Sequence, residues 1–219
     1  MVTKTVGWAE DAHDILRTID AGLRWQSVNP PHFRAMLHTC GHNPSADALY
    51  ALDPNTAWVV FHCVGPNPSP GLTLWRTTTA EQHWRSSTIT DYPPNPFSEI
   101  ASAFSFYIQF VGPHVGWLGP LYNAAYPPSI EELLRTGDGG IHWTHFPRAS
   151  EPSNLFGFVG PHRGYGYSGA SDQPEFGEYY SDFKYFPLVT SNGGRTWFHP
   201  HVSIPPHFTK AYLSVGASG

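Results

Sequence analysis

Charge is scarce in this chain. Only 13% of its 219 residues are Asp, Glu, Lys or Arg, and lysine occurs just at Lys4, Lys184 and Lys210. With a formal net charge of −5, a broad basic face for nucleic acid is excluded. Cysteine is equally scarce: Cys40 and Cys63 cannot build a disulfide framework. They are read either as a pair, if the chain is exported, or as two buried thiols. His38, His42 and His62 lie beside them, but neither segment has the paired spacing of a zinc site, so no metal and no cofactor is expected. No apolar run approaches the roughly 18 residues of a membrane-spanning helix. Met1–Trp8 lacks the apolar core of a signal peptide, so either the chain stays inside the cell or its true start lies elsewhere. Helical periodicity is almost absent.

What the chain has instead is aromatics and turn formers. Aromatic residues make up 15%, and 21 glycines with 22 prolines account for about one residue in five. Hydrophobic residues reach 40%, enough for a packed core. This composition predicts an all-β fold.

Two landmarks recur four times in the same order. The later one ends on Trp25, Trp84, Trp143 and Trp197, at spacings of 59, 59 and 54 residues. In full it reads Thr18-x-Asp20-x-Gly22-x-x-Trp25, Thr77-x-Thr79-x-Glu81-x-x-Trp84, Thr136-x-Asp138-x-Gly140-x-x-Trp143 and Thr190-x-Asn192-x-Gly194-x-x-Trp197. Arg17, Arg76 and Arg135 directly precede the first three threonines. The earlier landmark is Gly7-Trp8, Ala57-Trp58, Gly116-Trp117 and Gly164-Tyr165. Turns such as Asp53-Pro54-Asn55-Thr56 and Gly112-Pro113-His114-Val115 introduce it. The repeats run approximately over 4–30, 46–90, 104–147 and 154–203, in a single domain spanning 1–219. A period of this length is the mark of a repeat architecture.

Each repeat reads as strands. Ser129–Arg135 is helix-like by propensity, but its place in the repeat makes Leu133 and Leu134 a strand. The closing motif fits a hairpin: the Asp accepts backbone N–H bonds across the turn, the Gly supplies a positive φ, and the Trp returns to bury a large area. The box tryptophans, with Trp58 and Trp117, are therefore expected in the core.

The motif resembles the Asp-box, or BNR repeat, of sialidases and related β-propellers. The fuller pattern is similar to photosystem II stability and assembly factor-like propellers, over residues from about 4 to 200. The resemblance implies a β-propeller with four recognisable blades, whose relatives are often exported. It implies that the boxes are structural. Thr79 and Glu81 depart from the pattern, so the second hairpin is expected to be looser. The first repeat enters at its second strand, and 208–215 reads as a strand that either closes the ring or opens a fifth blade. A reduced or incomplete propeller is preferred over a closed four-blade ring.

With strands lettered A to D from the axis outward, the boxes span the C–D turns. The ligand face of sialidase-like propellers is the opposite one, built from the B–C loops. Here those loops are 63–72, 119–132 and 168–187. Tyr122, Tyr126, Glu178, Tyr179, Tyr180, Asp182 and Tyr185 are the candidate ligand contacts, suited to a protein or carbohydrate partner. A sialidase needs three arginines on this face. Six of the nine sit at scaffold positions and Arg163 lies on the box face, leaving Arg34 and Arg148. Glu99, Glu131, Glu132, Glu175, Glu178 and Asp182 are the loop carboxylates from which a glycosidase pair would come, but nothing pairs them. No catalytic residue is assigned. The expected function is a non-catalytic binding scaffold, with an Asp-box-type glycoside hydrolase and a remnant of a larger propeller as alternatives.

Overall fold

The computed structural model describes residues 1–11, 13–39, 45–62, 72–89, 105–121, 133–146, 155–171 and 183–200. They form four antiparallel sheets, each a meander of neighbours in sequence. Sheet 1 holds β1 (Gly7–Glu10), β2 (Ile15–Thr18) and β3 (Gln26–Ser27). Sheet 2 holds β4 (Ser45–Ala51), β5 (Ala57–His62), β6 (Leu72–Thr77) and β7 (Trp84–Ile89). Sheet 3 holds β8 (Ser105–Phe110), β9 (Gly116–Leu121), β10 (Leu133–Thr136) and β11 (Thr144–Phe146). Sheet 4 holds β12 (Leu155–Phe158), β13 (Gly164–Ser171) and β14 (Phe183–Thr190), with Phe198 bridged to Val189 in place of a fourth strand.

The described residues are thus all-β, as the composition implies, apart from one short helix. β10 contains Leu133 and Leu134: pairing to both neighbours outweighs their helix propensity. Sheet 1 begins at its second strand among the described residues. Its first residues still close the turn that joins strands A and B elsewhere: Val2 N–H donates to Val6 O, as Leu52 does to Thr56, Val111 to Val115 and Val159 to Arg163.

Three apolar layers lie between successive sheets. Ile15, Phe33, Val59 and Phe61 fill the first, Trp58, Leu74, Phe110 and Trp143 the second, and Trp117, Leu133 and Phe158 the third. β5 serves two layers at once. Its Trp58 and Val60 face sheet 3 while Val59 and Phe61 face sheet 1, which is why Ala57–Phe61 is an unbroken apolar run rather than an alternating one. The innermost strands run in series, β1 against β4, β4 against β8 and β8 against β12. Among the described residues no comparable contact joins β12 back to β1.

Three expectations are corrected. The helix α1 (Phe33–Thr39) lies between sheets 1 and 2. At seven residues it is too short to be stable by itself. Pro30 and Pro31 set its entry, Phe33 N–H donates to Pro30 O at 3.1 Å, and the buried Phe33 ring meets Phe61 edge-on. No periodic stripe announces such a helix, because packing forms it. Second, the loop expected over 168–187 is shorter: β13 and β14 pair from Gly164↔Thr190 out to Ser171↔Phe183, so Tyr185 is a strand residue opposite Gly169. Third, Trp25 is not in the core. It is 41% exposed, against 6% for Trp143, because no described sheet covers that side of sheet 1. Trp84 and Trp197 are half-buried, and Trp58 and Trp117 are fully buried as expected.

Candidate binding face

The hairpin order fixes two opposite rims. The A–B and C–D turns share one rim and are tied together in every sheet: Ala21 N–H donates to Thr5 O, Ala80 to Asn55, Gly139 to His114 and Gly193 to His162, at 2.8 to 2.9 Å. The B–C connections leave from the other rim, after His62, Leu121 and Ser171. Of the residues expected to contact a ligand there, Tyr122, Tyr126, Glu178, Tyr179, Tyr180 and Asp182 lie outside the described residues, and Tyr185 is described only as backbone in β14. Cys40 and Cys63, the loop carboxylates Glu99, Glu131, Glu132 and Glu175, Arg148 and the segment 208–215 also lie outside them.

What is described is the frame that carries this rim. The turn motif closes as its residue types dictate. Thr136 Oγ1 accepts from Gly140 N–H at 2.9 Å and donates to Asp138 Oδ1 at 2.9 Å, and Asp138 Oδ1 accepts from the Ile141 and His142 N–H groups at 3.0 Å. Thr18 with Asp20 and Thr190 with Asn192 repeat the arrangement. In the second turn, among the described residues, Thr79 Oγ1 accepts only the His83 N–H and Thr77 Oγ1 only that of Thr79, so fewer bonds close it.

The sheets are stapled to one another by a device that joins successive repeats through residues far apart in sequence. Trp58 Nε1 donates to Gly139 O of the next sheet, and Trp117 Nε1 to Gly193 O, both at 2.9 Å. Each indole stacks on a phenylalanine of that sheet, Phe110 or Phe158, with centroids 3.7 and 3.6 Å apart. Arg17, Arg76 and Arg135 lie over Trp8, Trp58 and Trp117 and donate to the carbonyls of Pro54, Pro113 and Pro161. Burial disfavours the charged form of Arg76 and of Arg135. The first junction differs. Among the described residues Trp8 Nε1 has no partner, and Arg17 pairs in addition with Glu81 at 3.1 Å. Glu81, read as a lost glycine, is thus half of an ion pair between sheets 1 and 2.

Near the inner strands a second set of bonds runs in the same direction. Tyr50 Oη donates to Phe110 O at 2.6 Å, and burial raises its pKa. Gln109 makes both bonds of a strand pair with Phe158, Nε2 to O at 2.9 Å and Oε1 from N–H at 2.8 Å, while the Tyr107 hydroxyl donates to the same Oε1. Burial raises Tyr107 further than Tyr50, so both phenols remain neutral donors.

Two carboxylates hold charge where the frame needs it. Ser27, Arg34 and Asn29 donate to Asp14 Oδ1 at 2.6 to 2.7 Å and bring its pKa down to about 2, Ser27 first. Burial pushes Asp138 up, but the backbone and ring of His142, then Thr136 and Ile141, outweigh it and leave about 2. Both folded values lie below the unfolded value of about 3.9. Each group therefore stabilises the fold fully above pH about 4, and that contribution is lost as pH falls towards about 2. Denaturant midpoints are expected to fall across this window, and to fall less in Asp14→Asn and Asp138→Asn. Asn192 shows that an amide fits the Asp138 position. An unchanged pH slope in both variants would remove these carboxylates from the acid response.

Among the described residues no group of three or more His, Cys, Asp or Glu is placed to hold a metal ion, and no helix is long and apolar enough to cross a membrane. No protein-family model and no curated protein matches the chain. Solved structures do. The GH74 enzyme of Niastella koreensis aligns over 90% of this chain and 28% of its own, at 12% identity and a TM-score of 0.52. YCF48 from Cyanidioschyzon merolae aligns over 93% of this chain and 70% of its own, at 15% identity and 0.45. YCF48 bound to D1 peptide aligns over 91% and 78%, at 13% identity and 0.44. The chain spans about a quarter of the length of the GH74 enzyme. At such identity the likeness is one of fold alone: an all-β chain of four antiparallel sheets with a propeller-fold neighbour.

Proposed function

We propose that the chain is a non-catalytic β-propeller scaffold of the Asp-box type that holds a protein or glycan partner on the rim of its B–C loops. One observation carries this reading: four described arginines and five described aspartates belong to the frame. Arg17, Arg76 and Arg135 sit over indoles and donate to proline carbonyls, and Arg34 is paired with Asp14. Asp11, Asp14, Asp20, Asp53 and Asp138 accept bonds that close turns or tie strand ends. A glycosidase needs two carboxylates facing across a cleft, and these are committed elsewhere. The reading places the partner against Tyr122, Tyr126, Glu178, Tyr179, Tyr180, Asp182 and Tyr185.

The test has two arms on the 219-residue chain. A panel of aryl glycosides is expected to show no turnover, while retardation in gels containing soluble polysaccharide, or capture of a displayed peptide library, detects the partner. Tyr179→Ala with Tyr180→Ala should weaken that capture by about tenfold and leave the thermal midpoint unchanged. Turnover abolished by Glu178→Gln or Asp182→Asn would replace this reading with the hydrolase.

A further inference from the structure

The chain docks one sheet on the next three times, and the second and third dockings share a set of contacts that defines what a receiving sheet of that kind offers. The incoming leucine of strand C sits over the second left-handed glycine of the C–D turn: a Cβ on Gly140 would lie 2.2 Å from Leu74 Cδ2, and one on Gly194 2.8 Å from Leu133 Cδ2. The incoming indole donates to the carbonyl one residue earlier, and the incoming arginine to a carbonyl of the A–B turn. A receiving sheet thus offers a bare glycine and two outward carbonyls.

Sheet 1 has all three and nothing described covers them. Its turn is fully built, with Gly22 at φ 88°, its N–H donating to Thr18 Oγ1 at 3.0 Å, and Ala21 tied to Thr5. A Cβ on Gly22 would meet only the sheet's own Trp25, at 3.9 Å. The carbonyls of Ala21 and Lys4, which correspond to Gly139 and Pro113, accept no hydrogen bond among the described residues. Trp25, at 41% exposed, is the apolar floor of this face.

Sheet 4 is not its complement. Where the docking sheets carry Leu74 or Leu133 it has Pro187, where they carry Arg76 or Arg135 it has Val189, and Tyr165 replaces the tryptophan. Gly157 stands at the position of Tyr50 and Gln109. Sheet 4 therefore lacks these donors, whether it comes from the same chain or from a second copy. In sheets 2 and 3 of any copy both donors are already engaged, and in sheet 1 the arginine is.

We propose that the uncovered face of sheet 1 seats an antiparallel strand pair of a different polypeptide, bearing tryptophan on one strand and Leu-x-Arg on its neighbour. The leucine lies over Gly22, the indole N–H donates to Ala21 O, and the guanidinium donates to Lys4 O. This surface lies at the end of the series of sheets, apart from the B–C rim, and does not depend on the function proposed for that rim.

The probe is a backbone-cyclised hairpin made from Ala57–His62 and Leu72–Thr77, the strands that make this contact within the chain. It is titrated into the 219-residue chain by calorimetry, with oxidative footprinting of Trp25. The expected result is saturable binding of one hairpin per chain and a severalfold drop in Trp25 oxidation. Hairpins carrying Trp58→Phe or Arg76→Gln, folded by the same NMR criteria, should each bind about tenfold more weakly. Absence of binding overturns the proposal. So does a Trp25 already protected in the free chain: protection at every concentration assigns the face to the chain's own residues, and protection that grows with concentration assigns it to a second copy.

Discussion

Trp117→Ala is expected to destabilise the chain by about 3–5 kcal/mol, a large part of the roughly 5–15 kcal/mol that a domain has. Trp117 is fully buried between sheets 3 and 4. Its removal empties a large volume that two rigid sheets cannot close, and the cavity adds to the lost transfer energy. It also strips Gly193 O of its N–H donor and Arg135 of the ring beneath it. The ring lies nearly parallel to Phe158, at 3° and with little offset, so the ring quadrupoles contribute little and burial dominates. Trp117→Phe separates the two parts: it retains most of the packing and loses the N–H bond, for about 1–3 kcal/mol. Trp25→Ala is the control, expected to cost under about 1 kcal/mol because its ring is well exposed. Guanidinium midpoints, compared at equal slope, measure all three. Equal losses for Trp117→Ala and Trp25→Ala would show that the staple carries no stability.

Gly140→Ala is expected to cost about 2–4 kcal/mol, and Gly22→Ala about 1–2 kcal/mol, at equivalent places in two turns. Both glycines are left-handed, at φ 98° and 88°, so an alanine meets a similar backbone penalty in each. They differ in what lies above them. The new methyl on Gly140 would sit 2.2 Å from Leu74 Cδ2 of the neighbouring sheet, and must displace that buried side chain, whereas the one on Gly22 has only Trp25 at 3.9 Å. The gap between the two variants therefore measures sheet-on-sheet packing with turn strain subtracted. Ala80→Gly is the converse: Ala80 holds φ 53° with a Cβ, and relief of that strain should stabilise by up to about 1 kcal/mol. Thermal melts of the three variants side by side decide it. Indistinguishable losses for Gly140→Ala and Gly22→Ala would mean that sheet 1 is covered as fully as sheet 3.

The reach of the sequence follows from how far apart interacting residues lie. Within a sheet every contact joins neighbours: Thr136 closes on Asp138 and Gly140, and β10 pairs with the strands on either side of it. Two landmarks in fixed order therefore determine the strands, the turns and the all-β class, and they override the helical propensity of Leu133 and Leu134. Between sheets the partners lie far apart in sequence. The indole of Trp58 finds a carbonyl 81 residues away, and that of Trp117 one 76 residues away. No local pattern encodes which carbonyl an indole will reach. The sequence reads Glu81 as a defect in a turn, and only the packed sheets show it facing Arg17. Trp25 carries the same motif as Trp143, so the sequence places both in the core. Their difference in burial depends on whether a neighbouring sheet covers them, and packing between sheets, not the motif, decides that.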